Sequence, residues 1–101
     1  MVEAGEAVAK FVAGRARADL DGDQMLLFAL TRAIEIIGEA ATRLTPETQN
    51  AAPSVPWSRI VAMRNRLIHA YHGIDLDVIW RTATEEVPEL LPKLRALVRR
   101  E

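Results

Sequence analysis

Arginine and histidine are concentrated in one part of this chain from which acidic residues are absent. Residues 48 to 74 contain no Asp or Glu. They contain these cationic or titratable residues: Arg59, Arg64, Arg66, His69 and His72. Histidine can take up and release a proton near neutral pH, and a planar guanidinium can hold a phosphate through two donors. Because the whole chain has a formal net charge of -1, this local positive charge predicts an anion-binding site.

The spacing of these residues on a helix decides which side chains share a face. An α-helix turns by about 100° per residue, so Ile60, Ile68 and Tyr71 lie within about 40° of Arg64. Asn65, His69 and His72 form a neighbouring strip. The guanidinium of Arg64 therefore lies among apolar side chains, where it needs an ion pair or a ligand.

Other interpretations of the same residues stay open. His69 can be a histidine that bonds to the backbone at a helix end, and Tyr71 can be a core residue. His72 can be a proton shuttle, a phosphate contact or an exposed bystander. A metal site is a weaker alternative, because two histidines with Asn65 and no nearby carboxylate make a poor ligand set. We expect neither a metal ion nor another cofactor.

Size and composition limit the fold and the class of protein. With 101 residues, we expect one helical domain over residues 1–101. Half of the residues are hydrophobic and only five are aromatic, which favours helices packed on helices through aliphatic side chains. The absence of cysteine excludes disulfides and thiol nucleophiles. No secretory signal or membrane span is evident, so we expect a cytoplasmic protein without a membrane partner.

Helix-breaking residues divide the chain into four or five predicted helices, giving an all-α bundle. The first covers about Glu3 to Leu20, and the second, about Gln24 to Leu44, has the clearest apolar stripe. Its other side carries charged residues that either face solvent or meet a second subunit: Arg32, Glu35, Glu39 and Arg43. Thr45 caps a short turn. The third helix runs from Trp57 to about His72, where Gly73 stops it.

Two further features concern the ends of helices. Asp19, Asp21 and Asp23 alternate as in a calcium-binding loop, but the turn glycine and closing glutamate of such a loop are missing. We therefore predict a turn and a helix cap there, and a second cap at Asp75. Pro88 and Pro92 predict a kink or restart in the last helix.

One motif resembles a known family. Arg64, His69 and Tyr71 lie in Met63-Arg-Asn-Arg-Leu-Ile-His-Ala-Tyr-His-Gly-Ile-Asp-Leu-Asp-Val-Ile-Trp80, which resembles the HEPN superfamily, in particular its HepT-type branch. Further segments resemble this branch in order and spacing: Ile36-Ile-Gly-Glu-Ala-Ala41, Val55-Pro-Trp57 and Val87-Pro-Glu-Leu-Leu91. The resemblance covers about Asp23 to Val98 and implies a HEPN-type helical bundle. The N-terminal helix looks shorter than is usual in that branch.

The resemblance also implies a function. It implies a metal-independent endoribonuclease, the toxin of a two-gene module whose antitoxin is a small nucleotidyltransferase. Arg64 and His69 match catalytic positions, and Asn65 matches a supporting one. Tyr71 matches a tyrosine that the partner modifies with AMP. We add Arg66 and His72 as expected RNA contacts.

The residue types fit RNA cleavage, but their spacing predicts that one chain is insufficient. Attack by a 2′-hydroxyl on phosphorus needs a proton acceptor, a proton donor and positive charge. On a straight helix Arg64 and His69 point ~140° apart and are separated by ~7.5 Å along the axis. We therefore expect a homodimer whose second copy completes the cleft, as the resemblance also implies.

The main alternative is a noncatalytic module that binds RNA or a nucleotide and holds the nucleotidyltransferase. The enzyme is favoured by the presence of all four motif residues, Arg64, Asn65, His69 and Tyr71. A scaffold would need only helix faces that bind its partner, and not these residues. A third interpretation is that this chain is itself the nucleotidyltransferase. The sequence argues against it, because the chain has no Gly-Ser loop.

Overall fold

The computed structural model describes the backbone of residues 1–72 and 75–99 and the side chains of residues 1–69 and 75–97. In chain order it contains α1 (Val2–Val12), α2 (Asp19–Gly22), α3 (Gln24–Arg43), α4 (Pro46–Asn50), α5 (Trp57–His72), α6 (Leu76–Arg81), a π-helical segment (Thr82–Glu86) and α7 (Val87–Arg99). These described residues include no strand, so the prediction of an all-α bundle is confirmed. Each described helix is too short or too polar to cross a membrane.

The long helix α3 forms the centre of the bundle. The predicted stripe faces the core, and four of its residues are almost fully buried: Leu30, Ile34, Ile37 and Ala41. The side chain of Asp23 caps the helix by accepting a hydrogen bond of 3.0 Å from the backbone N–H of Leu26, as predicted. On the opposite side Arg32 lies 3.5 Å from Glu35 and 3.6 Å from Glu39, so these charges are paired within the helix.

Helix α5 packs against α3 more extensively than any other pair of described elements pack together. Its buried residues Ile60, Met63 and Leu67 recur at spacings of three and four. The indole N–H of Trp57 donates to the backbone carbonyls of Gln49 at 3.0 Å and Ala52 at 3.1 Å, which fixes the start of α5 against the end of α4. The predicted bounds of this helix are confirmed, whereas its stop at Gly73 lies outside the described residues.

The prediction of a first helix to Leu20 is wrong. Helix α1 ends at Val12, and Gly14 takes a φ of 71°, a left-handed conformation in which an α-helix cannot continue. The loop that follows is held by ion pairs, because Arg15 contacts Asp23 at 2.7 Å and Arg17 contacts Asp77 of α6 at 2.6 Å. Partners distant in sequence therefore stabilise a bend that local periodicity did not reveal.

The C-terminal part differs from its prediction in where the irregularity lies. Asp75 caps α6 as expected, accepting from the N–H of Val78. Both Pro88 and Pro92 lie inside α7, so the helix does not restart between them, and the predicted kink stays a prediction. Helix α7 directly follows the π-helical segment, so the helix around Pro88 is continuous with that segment. The irregular turn is instead the π-helical segment immediately before, where the Thr84 hydroxyl donates to the carbonyl of Trp80 at 2.8 Å.

Candidate active site

Arg64 lies in the middle of α5, where it is half-buried at the contact with α3. Its Nε is buried and has no hydrogen-bond partner among the described residues. At the tip, Nη1 donates a hydrogen bond of 3.2 Å to Oδ1 of Asn65, the next residue of the helix. The base of the guanidinium is therefore buried, and its tip makes one hydrogen bond to the side-chain amide of Asn65.

The three arginines of the acid-free stretch differ in their partners. Arg66 forms an ion pair with Glu86, and Arg59 approaches Glu89 of α7 at 3.9 Å. Arg64 has no carboxylate partner in the described part of the chain. The C-terminal helices therefore neutralise two of the three charges and leave the third available to a ligand.

Arg66 is not brought together with Arg64. Two residues along a helix rotate by about 200°, so these side chains leave α5 on different sides. Arg66 lies over the π-helical segment beside a small cleft of about 220 Å³ that Val78, Arg81 and Glu86 also line. This position gives Arg66 a role in joining α5 to the C-terminal part of the chain.

His69 lies five residues beyond Arg64 on α5 and is exposed. It has no hydrogen bond or ion pair within the described residues, so its imidazole is accessible to a substrate. Tyr71 and His72 belong to the last turn of α5, and their side chains lie outside the described residues. The structure therefore places Arg64, Asn65 and His69 on one helix and says nothing of the other two side chains.

Gly38 of α3 is a neighbour of Arg64 that the sequence analysis did not identify as part of the site. A Cβ atom added at this glycine would overlap Cβ and Cγ of Arg64 and would lie 3.2 Å from its Cδ. Glycine inside a helix costs roughly 0.5–1 kcal/mol relative to alanine, so its presence between Ile37 and Glu39 was a signal of close approach.

The three aspartates that alternate between α1 and α3 are paired with arginines. Arg15 contacts both Asp19 and Asp23, and Arg17 contacts Asp21. The hydrogen bond from Arg15 is the main reason that the pKa of Asp23 lies below its ordinary 3.8, with a smaller contribution from the N–H of Leu26. Among the described side chains, no three of His, Asp or Glu are close enough to hold a metal ion together.

A larger cleft of about 420 Å³ lies between α1 and α3, and none of the predicted site residues line it. Its walls are formed by Lys10, Phe11, Ala13, Arg15, Asp23, Met25, Leu26 and Ala29. Two of its three charged residues, Arg15 and Asp23, are already paired with each other. Arg64 and His69 lie outside this cleft, on α5.

The described part of the chain is an all-helical bundle whose helix α5 carries an exposed histidine and an arginine with no acidic partner among the described residues, and these are residue types that can bind a phosphate and transfer a proton. The family model described as "Ribonuclease HepT-like" matches residues 1–97, and the chain belongs to this family. The resemblance seen in the motif around Arg64 and His69 is thereby confirmed at the level of the family.

Named relatives agree with the family. "Probable ribonuclease HepT" of Thermococcus cleftensis is 37% identical over 97 residues, which is 96% of this chain and 88% of that protein. "Putative RNase TTE0752" of Caldanaerobacter subterraneus subsp. tengcongensis is 39% identical over 83 residues, which is 82% of this chain and 74% of that protein. "Putative RNase MJ1380" of Methanocaldococcus jannaschii is 41% identical over 68 residues, which is 67% of this chain and 62% of that protein. No solved structure gives a significant match.

Proposed function

We propose that this protein is an endoribonuclease that cleaves RNA without a metal ion. The observation that carries the proposal is the partner pattern on α5, where Arg59 and Arg66 have acidic partners and Arg64 has none among the residues that the structure describes. Membership of the ribonuclease HepT-like family supports the reaction class. The toxin role, with a small nucleotidyltransferase as antitoxin, follows from the motif resemblance and is part of the same proposal.

The chemistry needs no cofactor. The 2′-oxygen of the substrate forms a bond to the adjacent phosphorus, and the bond from phosphorus to the 5′-oxygen breaks. A histidine accepts the proton of the 2′-hydroxyl, and a second acid returns a proton to the 5′-oxygen. Arg64 stabilises the charge on the phosphorane oxygens, with Asn65 holding its Nη1 in place. The products are a 2′,3′-cyclic phosphate and a 5′-hydroxyl.

The second acid is supplied by a second copy of the chain in this proposal. One helix alone aims Arg64 and His69 ~140° apart, whereas two copies related by a two-fold axis bring four such groups to one cleft. Exposed apolar residues on α3 support a contact between the two copies, since Met25 is 83% exposed and Ile36 is 38% exposed. These two residues are eleven apart and so fall within about 20° of each other around the helix.

The position of the exposed residues Met25 and Ile36 limits where the dimer interface can lie. Met25 and Gly38 are thirteen residues apart, so they lie about 140° apart around α3. A contact through Met25 and Ile36 alone would therefore leave Arg64, which packs on Gly38, far from the two-fold axis. The proposed interface must include α5 as well as α3.

The test is cleavage of RNA by purified protein in the presence of a chelator. We expect a product with a 2′,3′-cyclic phosphate, and no cleavage of DNA, because the 2′-hydroxyl is the nucleophile. His69→Ala should abolish cleavage, and Arg64→Ala should cost ~2.7–4 kcal/mol of transition-state stabilisation, the scale of a lost oxyanion donor. Arg59→Ala is the matched control, because Arg59 lies on the same helix and is already near Glu89.

Two outcomes would overturn the proposal. Equal cleavage by wild type and His69→Ala would show that the activity comes from a contaminant. RNA binding that depends on Arg64 without any cleavage would favour the alternative, a noncatalytic module that holds the nucleotidyltransferase.

A further inference from the structure

Helices α3 and α5 make their closest contact at Gly38 and Arg64. Three carbons of the Arg64 side chain cover the bare α-carbon of Gly38, since an added Cβ would overlap Cβ and Cγ and lie 3.2 Å from Cδ. Further out, the Nε of Arg64 is buried. The stem of this arginine therefore lies in a notch that exists because residue 38 has no side chain.

The other described helical glycines show that this notch is unusual. A Cβ at Gly5 of α1 would come within 2.8 Å of Cδ1 of Leu91, which is the end of a flexible side chain and can turn away. A Cβ at Gly22 of α2 would have no neighbour within 4 Å. Among these three positions, only Gly38 meets atoms close to the backbone of another helix.

The identity of the overlapping atom decides what a side chain at residue 38 would do. The position of the Arg64 Cβ is fixed by the backbone of α5, so no change of rotamer removes the overlap. Nonbonded carbons pack at ~3.5–4.0 Å, so α3 and α5 would have to separate by about 1 Å or more. This separation would carry the guanidinium away from its place and would let water reach Nε.

We infer that Gly38 is a positioning residue for Arg64, the group that holds the phosphate in the proposed ribonuclease, on whose function this inference rests. Gly38 contacts no substrate. It sets how deeply the arginine stem packs against α3, and Asn65 then orients the tip through its hydrogen bond to Nη1. A side chain held in one rotamer loses less freedom when the phosphate binds.

The test compares Gly38→Ala with Gly5→Ala in the RNA cleavage assay. We expect Gly38→Ala to lower kcat about 10-fold to 100-fold, the scale of a 1 Å misplacement, with KM changed much less. Gly5→Ala also fills a helix contact and should leave kcat within about 2-fold of wild type, because Leu91 can adjust. In an Arg64→Ala background the Cβ atom of residue 64 remains, so the helices still separate, but Gly38→Ala should lower kcat by a smaller factor than in wild type because the guanidinium that it positions is gone. A general loss of structure would lower kcat by the same factor in both backgrounds.

A measurement on the wild-type protein covers the case in which Gly38→Ala fails to fold. The Nε–H resonance of Arg64, assigned by its absence in Arg64→Ala, should exchange with water at least about 10-fold more slowly than that of exposed Arg43. Equal exchange rates would overturn the inference. So would a folded Gly38→Ala that cleaves like wild type while Arg64→Ala is inactive, and that result would leave the proposed function standing. Absence of cleavage by wild type would instead remove the proposed function.

Discussion

Arg66 and Glu86 form an ion pair that joins α5 to the π-helical segment, whereas Arg64, two residues earlier on the same helix, has no carboxylate partner among the described residues. The two arginines therefore differ in environment although they are close in sequence. One side chain links two parts of the fold, and the other remains available to an anion.

Arg66→Ala should accordingly affect stability slightly and catalysis little. The pair is partly exposed, with side-chain exposures of 49% and 30%, and such pairs contribute roughly 0–1 kcal/mol. Urea unfolding measures the first effect, and RNA cleavage compared with Arg64→Ala measures the second. Glu86→Gln is the control, because it removes the same pair from the other side. A loss of cleavage in Arg66→Ala as large as in Arg64→Ala would place Arg66 at the RNA after all.

The proposed dimer predicts that an acidic residue on the exposed face of α3 separates the subunits. Met25→Asp should shift the protein from dimer to monomer, because it places charge within an apolar contact. Light scattering at micromolar concentration gives the mass, and cleavage should fall in parallel if the site needs both copies. Glu47→Lys, an exposed change on α4, is the control. A wild-type protein that is monomeric and still cleaves RNA would remove the composite site.

The cap of α3 predicts a dependence of stability on pH. The hydrogen bond from Arg15 lowers the pKa of Asp23 below 3.8 in the folded protein. A carboxylate with a lowered pKa stabilises the fold above its unfolded pKa, and this contribution is lost as the pH falls through the folded pKa. Acidification below about pH 4 should therefore reduce the free energy of unfolding through Asp23.

Asp23→Asn isolates the charge, because asparagine is also a good N-cap. Its free energy of unfolding should fall below that of wild type at neutral pH, and the difference should shrink in acid. Urea unfolding over a pH series measures this difference. In an Arg15→Ala background the difference at neutral pH should be smaller, since the principal cause of the shift is absent. An unchanged difference there would assign the effect to another group.

The sequence predicted those features that depend on neighbouring residues. Apolar spacing identified α3, helix-breaking residues bounded α5, and local side-chain chemistry identified the caps at Asp23, Thr45 and Asp75. Each of these side chains accepts a hydrogen bond from a backbone N–H three residues later, so the signal lies within one turn.

Features that depend on distant partners were not predicted. The bend after α1 is held partly by Arg17 and Asp77, which are sixty residues apart in sequence. The pairing of Arg66 with Glu86 joins residues twenty apart in sequence and so was not predicted. The motif predicted Arg64, Asn65 and His69 as site residues, but only the packing of α3 on α5 showed that Gly38 lies against Arg64.

The last prediction concerns Tyr71 as the residue through which a nucleotidyltransferase partner silences the enzyme. On a helix, seven residues bring Tyr71 to within about 20° of the direction of Arg64, so the two residues share one side of α5. In the proposed modification the tyrosine oxygen bonds to the α-phosphorus of ATP and pyrophosphate leaves. The attached AMP carries a negative phosphodiester, which would compete with RNA for Arg64 and block the site.

Coexpression with the partner should therefore yield protein with one added AMP, detected by intact mass and located by peptide mapping. Tyr71 is the sole tyrosine of the chain, so any tyrosine-linked AMP is assigned to it without ambiguity. Tyr71→Phe should keep the fold, retain much of the cleavage activity and resist neutralisation by modification. His69→Ala is the control, because it should be inactive and yet accept AMP normally. An unmodified Tyr71 in a fully neutralised complex would show that the partner acts by covering the site, since inhibition would then need no change in charge at α5.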